Sequence, residues 1–247
     1  RYLLFCKEII KDSQKYIPEF LENIIEKILN CIDYIKTPNN QMPLFNGSTS
    51  LGLSQIQKYL SDFKSDNKNS KIGGLFRIKH KKSFLLIDTG RPPQKKFSKS
   101  YQSGPLSFEY FLDGIKIITN SGFGNDISKK AGLLSRLTAC QSTLTINETS
   151  IIKFEKNEMI NKVFGSSIKN SFKSFDFSSK NESGLIGCSA SNNGYEKKFG
   201  CTHKREIYMD KDNNYLKGID HIFKTKDGYP IRYAFRFHIN PGLSAVK

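Results

Sequence analysis

From Pro18 to Lys36 the apolar residues Leu21, Ile24, Ile25, Ile28, Ile32 and Ile35 recur every three or four positions, the spacing that lines one face of a helix. Proline suits a first helical turn, where its missing amide proton would have no partner anyway. An amphipathic helix is therefore predicted over 18–36. Tyr2 to Lys15 predicts a second, and Leu53, Ile56, Leu60 and Phe63 a third, after the loop KTPNNQMPLFNGSTS with its Pro, Asn and Gly punctuation.

Past the polar stretch Lys64 to Lys71 the period changes to two. GGLFRIKH, SFLLIDTG, LSFEYFLDGIKIITNSG, STLTINETSIIKF, REIYMDKDNNYLKGIDHIF and IRYAFRFHI are short apolar runs, many of them alternating, with turn residues between them. The pattern predicts a mainly β protein: a few α-helices over 1–65, a boundary near residue 70, and a large antiparallel β-sandwich over 70–247. No repeat of fixed period interrupts it.

A chain of 247 residues buries about 70–75% of the surface its unfolded form exposes, enough for a core without metal or disulfide staples. The composition is 37% hydrophobic with no apolar run near membrane-spanning length, so no membrane span is expected. The chain opens on Arg1, and its scattered charges do not read as a signal peptide, so the true N-terminus is expected upstream. Five cysteines without paired spacing predict packed free thiols rather than a disulfide framework.

Lys and Arg outnumber Asp and Glu by 39 to 23, a formal charge of +16. A field of that sign captures polyanions: nucleic acid, anionic lipid or an acidic glycan. Nucleotide, hydrolase, zinc-protease and EF-hand motifs are missing, as are helix-turn-helix, zinc-finger and RNP patterns, so no nucleic-acid partner is expected. The lysines also have a compositional reading, as part of an Asn-, Ile- and Lys-rich sequence.

Six stretches narrow the choice: PLFNGST (43–49), LLIDTGRPP (85–93), GPLSFEYFLDGIKIITNSG (104–122), SRLTACQSTLTIN (135–147), NNGYEKKFGCTHKREIYM (192–209) and AFRFHINPG (234–242). Taken in order they resemble the heparinase II/III-like family of bacterial polysaccharide lyases, in which an α/α toroid precedes a β-sandwich. The resemblance implies that residues 1–65 are the last helices of an incomplete toroid. It implies a periplasmic or cell-envelope protein acting on an acidic, uronate-containing polysaccharide. It also implies that much of the chemistry sits on toroid residues facing the sandwich across a cleft.

β-Elimination beside a uronate needs its carboxylate neutralised, the neighbouring proton abstracted and the departing oxygen protonated, work suited to Arg, Asn, His, Tyr or a metal. By resemblance, Tyr195, His203 and Gln141 stand at catalytic positions, and Arg136, Arg205, Arg236 and Asn192 at substrate-binding ones. His238, with Asp220 as its carboxylate partner, stands where a zinc is held. The residues alone also read His203 and His238 as packed strand histidines, and Arg136 and Arg236 as partners of acids inside the sandwich. Three departures from the family pattern run one way. Gln141 and Asn240 replace histidines, and Asn192 and Asn193 replace a His-Asp pair; amides keep hydrogen bonding but lose proton exchange and metal affinity. They open a second expectation, a glycan-binding member without catalysis.

Overall fold

The structure, a computed structural model, describes residues 1–49, 53–61, 71–213, 215–225 and 232–244. The amphipathic stretch folds as helix α2 (Glu19–Ile35), with Pro18 just before the first turn and Glu19 and Glu22 inside it, where acids complement the exposed amides. Helix α1 (Tyr2–Asp12) and the short α3 (Gln57–Ser61) join it around Leu4, Leu21, Ile25, Leu29, Leu53 and Leu60. Phe63 and the expected boundary near residue 70 lie outside the described residues.

Twelve strands follow among the described residues. A six-stranded antiparallel sheet runs in the order β1 (Lys71–Ile72), β2 (Leu75–His80), β3 (Ser83–Asp88), β4 (Phe108–Leu112), β5 (Ile115–Thr119), β12 (His238–Ile239). A second sheet has β7 (Ser174–Asn181), β8 (Leu185–Asn192), β9 (Cys201–Asp210) and β10 (Leu216–Lys224) in sequence along one meander. A two-stranded ribbon pairs β6 (Leu144–Ile146) with β11 (Tyr233–Phe235).

The two large sheets face each other across Phe76, Ile78, Leu85, Ile87, Phe108 and Tyr110 on one side and Cys188, Ile207 and Met209 on the other. The outer face of the six-stranded sheet is covered too, with Leu75, Phe84, Leu86 and Phe111 packing against Phe45 and Ile35. That double cover explains why every residue of β3 is buried and why its sequence does not alternate. Arg77 ties the layers together. Its amide donates to the Tyr34 hydroxyl at 2.9 Å, and its guanidinium donates to the carbonyls of Asp33 and Tyr34 at the end of α2.

Several expectations need correcting. The STLTINETSIIKF run yields only the three residues of β6, because Asn147 and Glu148 take φ of 49° and 52° and turn the chain. The IRYAFRFHI run is two strands: β11 pairs with β6, then Arg236 and Phe237 carry the chain across to pair β12 with β5. Strands β7 and β8 hold Ser, Lys, Asn and Gly where apolar alternation would have marked them. Cys6 and Cys31 are exposed rather than packed, while Cys188 and Cys201 are buried. No helix among the described residues is long and apolar enough to cross a membrane.

Candidate functional site

Strand β9 alternates strictly, so Cys201, His203, Arg205, Ile207 and Met209 all point inward. Two of the five are polar, and the neighbouring strands answer them. Register places Asn192 opposite His203 and Asp220 opposite Arg205. Arg205 is 1% exposed and grips Asp220 with both arms of its fork, Nε to Oδ1 at 2.7 Å and Nη2 to Oδ2 at 3.0 Å. Its Nη1 donates to the carbonyls of Leu106 and Ser142, both at 2.9 Å. His203 Nε2 lies 2.6 Å from Asp220 Oδ1, and Asn192 Nδ2 lies 3.5 Å from His203 Nδ1.

Those contacts fix the protonation pattern. Burial lowers the pKa of His203, and Arg205 adds to that against the pull of Asp220. The ring is neutral at pH 7, with Nε2–H donating to Asp220 and Nδ1 accepting from Asn192. Burial alone would raise the Asp220 carboxyl, but the hydrogen bonds from His203 and Arg205 outweigh it and hold it at about 2. Asn192, His203, Arg205 and Asp220 thus form one satisfied polar centre inside the sandwich.

The other predicted residues lie apart from it. Tyr195 is buried, donates to the Thr149 carbonyl at 2.8 Å, and has its pKa pushed well up by burial. Gln141 is 1% exposed and donates to the Ser135 carbonyl at 2.8 Å. Arg236 lies at the surface, paired with Glu148. His238 Nε2 sits 3.1 Å from the Ala139 carbonyl. Asp220, its expected metal partner, has both oxygens engaged by Arg205 and His203, so this donor set as arranged does not fit a zinc centre. Among the described residues no three His, Cys, Asp or Glu side chains converge to hold a metal ion.

Arg136 has a different task from the one expected. Its Nε donates to the Tyr101 carbonyl at 2.8 Å, Nη2 to Ser98 at 2.8 Å and Nη1 to Ser166 at 2.6 Å, and the guanidinium lies 3.9 Å over the Phe154 ring. Burial lowers its pKa to about 10, so it stays cationic at neutral pH. One buried cation therefore staples three connections together: 89–107, 120–143 and 147–173.

Those connections build an open groove. One stretch, a cavity of about 930 Å³, is lined by Asp88, Arg91, Lys95, Tyr101 and Lys169. Lys169 and Asn170 lead into a second, of about 1490 Å³, with Lys129, Lys153, Lys156 and Lys162 around Leu133, Leu137 and Phe154. Among the described side chains its one carboxylate is Glu155, held below the usual range by the Asn157 amide, with help from the Lys156 amide and Lys169. Sequence reasoning saw these lysines only as bulk charge. No motif marks them, because connections distant in sequence bring them together.

The described residues form a layered antiparallel sandwich with a cationic groove among its connecting loops. The profile described as Heparinase II/III-like, C-terminal, matches residues 64–247, and the chain belongs to that family. Solved structures share the fold. A heparan sulfate lyase from Pedobacter heparinus superposes with a TM-score of 0.60 at 16% identity, covering 88% of this chain and 35% of that one. A heparinase III, the BT4657 gene product, gives 0.67 at 16% over 94% and 36%. Another heparinase III gives 0.64 at 14% over 92% and 38%. The chain therefore spans little more than a third of these enzymes. No curated protein matches it in sequence.

Proposed function

We propose that this chain is the sandwich part of a polysaccharide-lyase-like protein and binds an acidic, uronate-containing glycan along the lysine groove. The observation that carries the reading is the groove itself. Lysines from three connections line apolar walls and face solvent, which suits a ligand with repeated negative charge and sugar faces. The heparan-sulfate and heparin lyases that share the fold support the glycan class.

Within this chain the groove residues supply charge neutralisation and grip. Proton transfer is a separate matter. Tyr195, His203 and Gln141 are buried with their polar atoms engaged, which favours the second reading, a glycan-binding member whose own residues do not catalyse. Under the lyase reading the acid and base come from residues across the cleft.

Mixing the protein with a panel of acidic polysaccharides separates the two. Growth of the ultraviolet band of unsaturated uronates on one polymer establishes elimination. A flat trace with retention on that polymer establishes binding alone. Absence of retention on every polymer, at low salt, sinks the proposal.

A further inference from the structure

Among the described residues Asp88 is the one carboxylate in a stretch of groove otherwise charged by Arg91, Lys95 and Lys169. It ends β3 with its backbone fixed from both directions, its amide donating to Ser107 and its carbonyl accepting from Leu106. The side chain is only half engaged. Oδ1 accepts from the Gly90 amide at 2.9 Å, whereas Oδ2 is approached by Asn46 Nδ2 at a long 3.4 Å. Asp88 is 5% exposed, yet it forms part of the groove wall. A rigid, nearly buried carboxyl with one oxygen weakly used, facing a cavity suited to anions, is an awkward arrangement for structure alone.

We infer that Asp88 couples proton uptake to glycan binding: ionised, it repels an anionic group in the groove, and protonated, it donates a hydrogen bond to that group. The inference rests on the groove reading above. Burial raises this carboxyl to about 6, against the Gly90 amide, Asn46 and the positive charge of Lys71 on β1. The other titratable or charged groups near it are Tyr101, whose phenol is held far above its ordinary pKa by burial, and Arg91, Lys95 and Lys169 along the groove. The facing loop offers Asn46, the paired position on β2 is Leu75, and Ser174 of β7 donates to the Gly90 carbonyl. None of these neighbours is a histidine, the side chain that ordinarily titrates near neutrality, and the raised Asp88 carboxyl is the group that changes charge in that window. A protonated carboxyl donating to a carboxylate or sulfate makes a short, charge-assisted bond.

The test measures affinity for heparin at pH 5, 6, 7 and 8 at constant ionic strength, for the protein and for Asp88→Asn. Wild type is expected to lose affinity above pH 6, by up to about tenfold per pH unit in the limit where only the protonated form binds. Asp88→Asn, which carries a permanent donor of the same shape, is expected to bind tightly and flatly across the range. Calorimetry on the unmodified protein in two buffers of different ionisation enthalpy reads the same event as proton uptake at pH 7, without relying on a variant. Equal pH slopes in both proteins, or a flat wild type with no proton uptake, would overturn the role of Asp88 while leaving the groove in place. Absence of heparin binding even at pH 5 would remove the groove reading and this inference together.

Discussion

Asp220 and Asp88 are both carboxylates at strand ends or edges of one sandwich, and their surroundings push them in opposite directions. Asp220 is held at about 2 by Arg205 and His203, so its contribution to stability is complete above its unfolded pKa and vanishes as pH falls through 2. Unfolding free energy followed by urea titration is expected to drop by about 2 kcal/mol between pH 5 and pH 2 from this group alone. The falling charge tolerance of neutral His203 acts in the same direction. Asp220→Asn leaves Arg205 buried without its counter-charge and is expected to cost about 3–5 kcal/mol at neutral pH. A loss below about 1 kcal/mol would mean that the carbonyls of Leu106 and Ser142 suffice for the guanidinium. Asp88 runs the other way. An acid with a raised folded pKa stabilises while protonated and loses that contribution as pH rises, here through about 6. Asp88→Asn is therefore expected to melt higher than wild type at pH 8, by up to about 3 kcal/mol, with no such gap at pH 4. Equal melting curves at pH 8 would show that the carboxyl is not under strain from burial.

At the scale of elements, legibility followed periodicity. Helix α2 and strands β2, β3, β9 and β10 were marked by the spacing of their apolar residues, because each presents a clear face or a fully covered run to a core. Strands β7 and β8 were not, since small residues fill their contact points: Ser178 meets Ser189 across the pair, and the buried apolar residues of β8 are Cys188 and Ala190. Gly187 shows the reason: a Cβ there would stand 2.2 Å from the Ile207 carbonyl oxygen and 2.4 Å from the Tyr208 ring. Gly187→Ala is expected to destabilise by about 1–3 kcal/mol, read by thermal unfolding, through overpacking of β8 on β9. The predicted site was legible by type and mostly illegible by place. His203, Arg205, Asp220 and Asn192 do converge, because strand register puts them opposite one another, but they converge inside the core. The groove lysines sit on long connections, where no periodicity constrains them. Helix α2 also carries a stripe that the sandwich leaves bare: Phe20, Ile24 and Ile28 are 67%, 43% and 44% exposed at four-residue intervals. Sedimentation is expected to show concentration-dependent self-association of this chain, abolished in Phe20→Glu, Ile24→Lys with helix content retained. A monomer at all concentrations would contradict it.

For the molecule as a whole, a charge of +16 is partly a bulk property and partly concentrated in one place. The two are separable. Replacing Lys153, Lys156 and Lys162 with Gln removes three charges from the groove; at about 0.5–1 kcal/mol each, heparin affinity is expected to fall by about tenfold to a hundredfold. The same number of Lys→Gln changes at Lys180, Lys217 and Lys224, exposed on the second sheet, is expected to change affinity by less than about threefold, with salt weakening both effects. Equal losses from the two triples would mean that only total charge matters.

The stapling of three connections by Arg136 gives the groove a mechanical character. If one loop departed alone, the buried Arg136 guanidinium would lose the carbonyl that accepts from it and be left with an unpaired donor, so the walls open together or stay closed together. Amide hydrogen exchange around 98–103 and 166–168 should accordingly show a single shared opening rate, and a long polymer threading the groove would meet a wall that yields as a unit rather than loop by loop.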